Sequence, residues 1–188
     1  LQWSNASNEI IQLGVAQFGC TDASTFDVLV NPMPNSPFNL QPAVCVGDPV
    51  TITYMGNGQS TATYTWDFDG GSVQSGSGAG PYSIIWSTDG NPDVTLVVSQ
   101  LGCVSPVSAN QIFVAPYPVI NAGLNALVCS GISVPVGLAP EVDVTYQWSP
   151  TTDLIDPTSS STSVSTNNPT ITTQVTTYTL TATNTTGC

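Results

Sequence analysis

The feature that most constrains this 188-residue chain is a spacing that repeats. Three Gly-Cys pairs occur, Gly19-Cys20, Gly102-Cys103 and Gly187-Cys188, with two Cys-x-Gly triplets, Cys45-Val46-Gly47 and Cys129-Ser130-Gly131. Cys45 and Cys103 are 58 positions apart, and Cys129 and Cys188 are 59 apart. Trp3 precedes Cys20 by 17 positions, and Trp86 precedes Cys103 by the same 17. Trp66 follows Cys45 by 21 and Trp148 follows Cys129 by 19. A fixed period of this size indicates an array of similar units.

One unit opens with Cys-x-Gly, runs to Tyr-x-Trp (Tyr64-Thr65-Trp66, Tyr146-Gln147-Trp148) and closes its second half with Gly-Cys. A further strand then leads to a Pro-x-Pro exit, Pro32-Met33-Pro34 or Pro116-Tyr117-Pro118. On this register residues 1–36 are the back half of a unit, 37–118 a whole unit, and 119–188 a unit without its last strand. The expectation is therefore a piece of a longer tandem array. Pro-x-Pro connections are stiff and extended, so the array should be a semi-rigid rod.

Val50–Tyr54, Thr61–Phe68, Val94–Ser99 and Thr177–Thr181 alternate apolar with polar residues and are rich in β-branched and aromatic types, which predicts half-buried strands. Gly56-Asn57-Gly58, Gly70-Gly71, Ser75 to Pro81 and Asp89-Gly90-Asn91-Pro92 supply the turns between them. No stretch carries helical periodicity. Short strands at regular spacing predict an all-β fold of tandem immunoglobulin-like β-sandwich modules, one partial and two nearly complete. Trp3, Trp66, Trp86 and Trp148, at matched positions, are expected in the cores.

Composition removes whole classes of function. The chain has 12 Asp and Glu, no Lys, Arg or His, a formal net charge of −12, and only 6% charged residues. Nothing can neutralise phosphates, so nucleic acid is excluded as a partner. The P-loop lysine, His-based zinc sites and Ser-His or Cys-His nucleophile pairs are excluded as well. No run of 18 apolar residues exists, so membrane insertion by a helix is not expected. What remains is carboxylate, hydroxyl, thiol and backbone chemistry, and the expectation is no enzyme activity.

Five cysteines remain to be assigned. Within-unit pairing joins Cys45 to Cys103 and Cys129 to Cys188, and leaves Cys20 for a partner outside the chain. No closely spaced CxxC motif supports a thiolate metal site. Disulfides place the chain in an oxidising compartment, hence extracellular or at a cell surface. The carboxylates offer Ca²⁺ as the alternative to no cofactor, with Asp67, Asp69, Asp89 and Asp93 as candidate ligands, and Glu141, Asp143, Asp153 and Asp156 in the last unit. No D-x-[DN]-x-[DN]-G loop is present. Asp67 and Asp69 lie two apart at a strand end, and so point to opposite faces of a regular strand. Asn5-Ala6-Ser7 and Asn184-Thr185-Thr186 match the glycosylation sequon.

Tyr64-Thr65-Trp66-Asp67-Phe68-Asp69-Gly70-Gly71, followed by Ser75 to Tyr82 and Trp86, resembles the PKD-like (polycystic-kidney-disease type) repeats of secreted Bacteroidota surface proteins. The last unit, through Cys129-Ser130-Gly131, Tyr146-Gln147-Trp148-Ser149-Pro150 and Thr177-Tyr178-Thr179-Leu180, is similar to a repeat found beside them. The resemblance implies β-sandwich modules in long bacterial surface proteins: adhesins, gliding-type filaments, or spacer regions of secreted hydrolases. The usual motif places Gly before the second Asp, whereas here Phe68 is followed directly by Asp69. The partners expected are other copies or neighbouring repeats of the same protein, assembled as a filament or sheath, with surface glycans as the alternative. A surface so poor in charge loses little on burial against its like.

Overall fold

The computed structural model describes residues 8–188, so Trp3 and the sequon at Asn5 lie outside the described residues. The described chain is all-β, with no helix: β1 (Asn8–Gln17), β2 (Cys20–Leu29), β3 (Phe38–Asn39), β4 (Ala43–Cys45), β5 (Val50–Tyr54), β6 (Thr63–Asp67), β7 (Ser72–Ser75), β8 (Tyr82–Ile85), β9 (Asp93–Gln100), β10 (Cys103–Val104), β11 (Ser108–Gln111), β12 (Phe113–Ala115), β13 (Ser133–Gly137), β14 (Val144–Ser149), β15 (Ser161–Ser165) and β16 (Thr179–Asn184). The four strands read from period-two alternation are all present. β5 has the expected bounds, whereas β16 begins at Thr179 rather than Thr177.

The chain forms two compact units that interleave along the sequence. The first comprises Leu1–Gln41, Val50–Ile84 and Pro92–Ile112; the second comprises Pro42–Pro49, Ile85–Asn91 and Phe113–Cys188. The repeat boundaries at 36/37 and 118/119 thus do not coincide with the boundaries of compactness.

In the first unit β9 is central to one sheet. β6 lies along one edge, antiparallel from Thr63↔Ser99 to Asp67↔Thr95, while β10 and β11 share the other edge. A second sheet runs β3-β5-β8-β7. Side chains join the two faces: Phe38 of β3 meets Trp66 of β6 edge-on at 5.2 Å, and Tyr54 of β5 meets Tyr64 of β6 at 5.0 Å. Val50, Ile52 and Ile84 of one sheet and Val94, Leu96 and Val98 of the other have no exposed surface. Two sheets sharing an apolar interior are consistent with a β-sandwich. Also in this unit is the β1–β2 hairpin, paired along its whole length from Asn8↔Leu29 to Gln17↔Cys20.

The Gly-Cys repeat has a conformational origin. Gln17 faces Cys20 across a two-residue loop in which Phe18 (φ 50°) and Gly19 (φ 80°) both have positive φ. Gln100 faces Cys103 across Leu101 (φ 51°) and Gly102 (φ 80°) in the same way. Two positive φ values in a two-residue loop are what a tight hairpin with right-twisted strands demands, and glycine meets that demand without strain. At the third copy the chain turns differently: the Gly187 amide donates to the Asn184 carbonyl at 3.0 Å.

The second unit contains three two-stranded sheets, β4–β12, β13–β15 and β14–β16. β4 and β12 are parallel, with Ala115 opposite Cys45; the other two pairs are antiparallel. Its buried residues include Val44, Trp86, Val114, Trp148, Val164 and Leu180.

Candidate functional site

The disulfide joins Cys45 to Cys188, with 5.6 Å between Cα atoms and 143 residues between them in sequence. This corrects both within-unit pairings, Cys45–Cys103 and Cys129–Cys188. The reason lies in the parallel pairing of β4 with β12. It holds Cys45 beside Ala115, and the next residue, Pro116, accepts a 2.9 Å hydrogen bond at its carbonyl from Asn184 Nδ2. Asn184 Oδ1 in turn accepts the amides of Thr186 (3.0 Å) and Cys188 (2.9 Å). One asparagine therefore delivers Cys188 to Cys45. Cys103 instead opens β10 opposite Gln100, in the other unit. Cys20 and Cys129 are exposed thiols, and Cys103 is a half-buried one.

Asn184 carried no weight in the sequence beyond the sequon, yet it makes these three side-chain bonds. Its amide nitrogen donates to the Pro116 carbonyl, so the side chain staples the chain end to the β12 exit. The sequence signal that could have found it is the Asn-x-x-Gly-Cys ending, a turn in which a polar side chain bonds backbone two to four residues on.

Trp86 and Trp148 are buried, as expected of core residues, and Trp148 Nε1 donates to the Ser159 carbonyl at 2.9 Å. Trp66 corrects the expectation in part, because it is only half-buried. It belongs to an aromatic cluster, stacked on Phe68 at 5.7 Å and 13°, edge-on to Phe38, and tilted 60° to Tyr82. Its Nε1 donates to the Gly78 carbonyl at 3.0 Å, which ties the Ser75–Pro81 loop to β6. Burial pushes the Tyr82 hydroxyl above its ordinary pKa, and does the same for Tyr64 and Tyr178. Neighbouring Tyr54 adds to the effect at Tyr64, and the charge of Asp153 adds to it at Tyr178.

Three of the four candidate calcium ligands are brought into one chain of contacts. Asp67 Oδ1 accepts the Asp69 amide at 2.9 Å, Asp69 Oδ2 accepts the Asp93 amide at 3.1 Å, and Asp93 Oδ1 accepts Gln111 Nε2 at 3.1 Å. Asp67 caps the turn that follows it, whereas Asp69 and Asp93 bond to residues distant in sequence. Asp69 (φ 45°) and Gly70 (φ 81°) form the centre of a tight turn closed by the Gly71 amide on the Phe68 carbonyl. Asp89 belongs to the other unit. Among the described residues no three Asp, Glu or Cys groups are disposed to hold a metal ion.

In the last unit Asp156 Oδ1 accepts both the amide (2.9 Å) and the hydroxyl (2.8 Å) of Thr158. The amide bond is the larger cause, and together they hold its pKa below the usual carboxylate range despite a small opposing desolvation. Bonds to the charged form favour it. The contribution to stability is therefore complete above the ordinary aspartate pKa and is lost as pH falls through the lower native value. NMR titration of the Asp156 carboxyl carbon is expected to give a midpoint below that of the same residue in a Thr158→Ala chain.

Two shallow depressions among the described residues each carry a single acid. One, on the β1–β2 hairpin, includes Asp22 as its sole acid, and one in the second unit includes Glu141.

No protein-family model matches the sequence, and no curated protein matches it. Among solved structures, the chain is similar to a surface glycan-binding protein, SGBP-B of the Bacteroides ovatus mixed-linkage glucan utilization locus, solved in complex with a mixed-linkage heptasaccharide. The identity is 16% and the TM-score 0.35; the match covers 84% of this chain and 45% of that one. The chain thus spans under half the length of that structure.

Proposed function

We propose that this chain is a repeat region of a long extracellular bacterial surface protein, non-enzymatic, whose disulfide-stabilised tandem immunoglobulin-like (PKD-like) modules serve as a stalk, adhesin shaft or filament. The observation that carries the reading is the hairpin built twice. β1–β2 and β9–β10 share the Gln-x-Gly-Cys turn, the Gln↔Cys register and nearly identical φ values, 83 positions apart. Duplicated β units with carboxylates spent on turns and a thiol pair spent on a cross-link suit a scaffold. A disulfide closing 143 residues suits an oxidising compartment. With 6% charged residues, lateral packing of like surfaces costs little desolvation. Electron microscopy of the secreted protein is the test: rods or fibres are expected, and dispersed, non-associating particles would overturn the filament reading.

A second reading is favoured by the half-exposure of Trp66. Stacked on Phe68, it offers an aromatic surface of the kind that takes sugar rings. A glycan array with the wild-type chain and Trp66→Ala separates this adhesive role from a purely structural one.

A further inference from the structure

The two copies of the hairpin differ in what covers them. With an offset of 83, Ile11, Leu13 and Val15 of β1 occupy the positions of Val94, Leu96 and Val98 of β9. The three β9 residues are 0% exposed, whereas Ile11, Leu13 and Val15 are 36%, 67% and 59% exposed. Period two puts these three on one face of the hairpin. The register adds Phe26, opposite Ile11, to the same face. The other face carries Ile10, Gln12, Gly14, Ala16, Thr25, Asp27 and Leu29, so its large apolar residues stand only at the open end of the hairpin, whereas Ile11, Leu13 and Val15 run unbroken along β1. A continuous apolar stripe of this kind on one face marks a surface built to be covered.

The repeat names the cover. The segment that precedes β9 supplies β5 and β8, whose Val50, Ile52 and Ile84 are fully buried, together with β6, which pairs with β9 edge to edge. We propose that the Ile11–Leu13–Val15–Phe26 face is the docking surface for a half-module of the pattern of residues 37–83, carried on polypeptide joined to Leu1. The half-module would bring an apolar-x-apolar strand across the face and a Tyr-x-Trp strand along the edge of β1. This inference rests on the repeat reading given under Proposed function, and adds the partner and the surface.

The test is a fusion in which residues 37–83 are duplicated directly before Leu1 of the full chain. Backbone amides of β1 are expected to exchange at least about 100-fold more slowly in the fusion than in the 188-residue chain, as amides do when a solvent-exposed strand pair becomes part of a packed core. Leu13→Asp should be tolerated in the 188-residue chain and should abolish the protection in the fusion. Replacing the valine and isoleucine of the duplicated β5 by Asp should abolish it too. Unchanged β1 exchange in the fusion would overturn the proposal. So would concentration-dependent protection of β1 in the unfused chain, which would assign the face to a second copy. Neither result would alter the outcome of microscopy on the secreted protein, which tests the array reading separately.

Discussion

Replacing Cys188 with Ser is expected to cost about 5 kcal/mol of stability in the chain-entropy account of a cross-link closing 143 residues. That is comparable with the whole net stability of many domains, roughly 5–15 kcal/mol, so the second unit should lose cooperative unfolding under mild denaturant. Cys45→Ser should match it, and the double variant should cost no more than either single one, because one bond is being removed. Cys103→Ser and Cys129→Ser should each fall within about 0.5 kcal/mol of wild type. Denaturant titration of the five variants, with and without reductant, gives the comparison. Peptide mapping of the unreduced chain should recover Cys45 linked to Cys188. A Cys45–Cys103 peptide, or a large loss in Cys103→Ser, would overturn the connectivity. The mapping needs a protease other than trypsin, since the chain has no Lys or Arg.

How much of this was legible in the sequence follows from how local each determinant is. The strands β5, β6 and β9 could be read because alternation is a property of five to eight neighbouring residues, and their turns could be read because Gly, Asn and Asp mark them. The Gly-Cys repeat was visible as a spacing, and its meaning, a two-residue turn with positive φ at Phe18-Gly19 and Leu101-Gly102, is local too. The disulfide partner was not legible. It depends on β4 pairing in parallel with β12, some 70 residues later, and on Asn184 reaching Pro116, and neither contact leaves a periodic trace. Cysteine spacing alone admits several connectivities. The acidic residues were legible as turn formers, but not the contacts that three of them make. Asp67, Asp69 and Asp93 are linked through backbone amides and Gln111, over separations of 2 to 24 residues that no local pattern records. The half-burial of Trp66, against the full burial of Trp86 and Trp148, follows from its place in an aromatic cluster beside the Ser75–Pro81 loop, and a matched position in the sequence repeat does not reveal that.

Leu96→Ala is expected to cost about 2–5 kcal/mol, the range for emptying a buried leucine site, while Leu13→Ala, the same position one repeat earlier, should stay within about 0.5 kcal/mol. The two leucines have β-branched neighbours along the strand on the apolar side, Val94 and Val98 in one case and Ile11 and Val15 in the other, and the same distance to the Gly-Cys turn. Intrinsic β propensity therefore cancels between them, and the difference in cost reports only what lies over each face. In β9 that is a closed interior shared with Val50, Ile52 and Ile84, where lost methylenes leave a cavity. In β1 it is water, so truncation removes little that folding had gained. Urea denaturation of both variants measures the contrast directly. Equal costs would mean that the β1 face is already covered in the 188-residue chain, and the docking surface would then have its occupant within the protein itself.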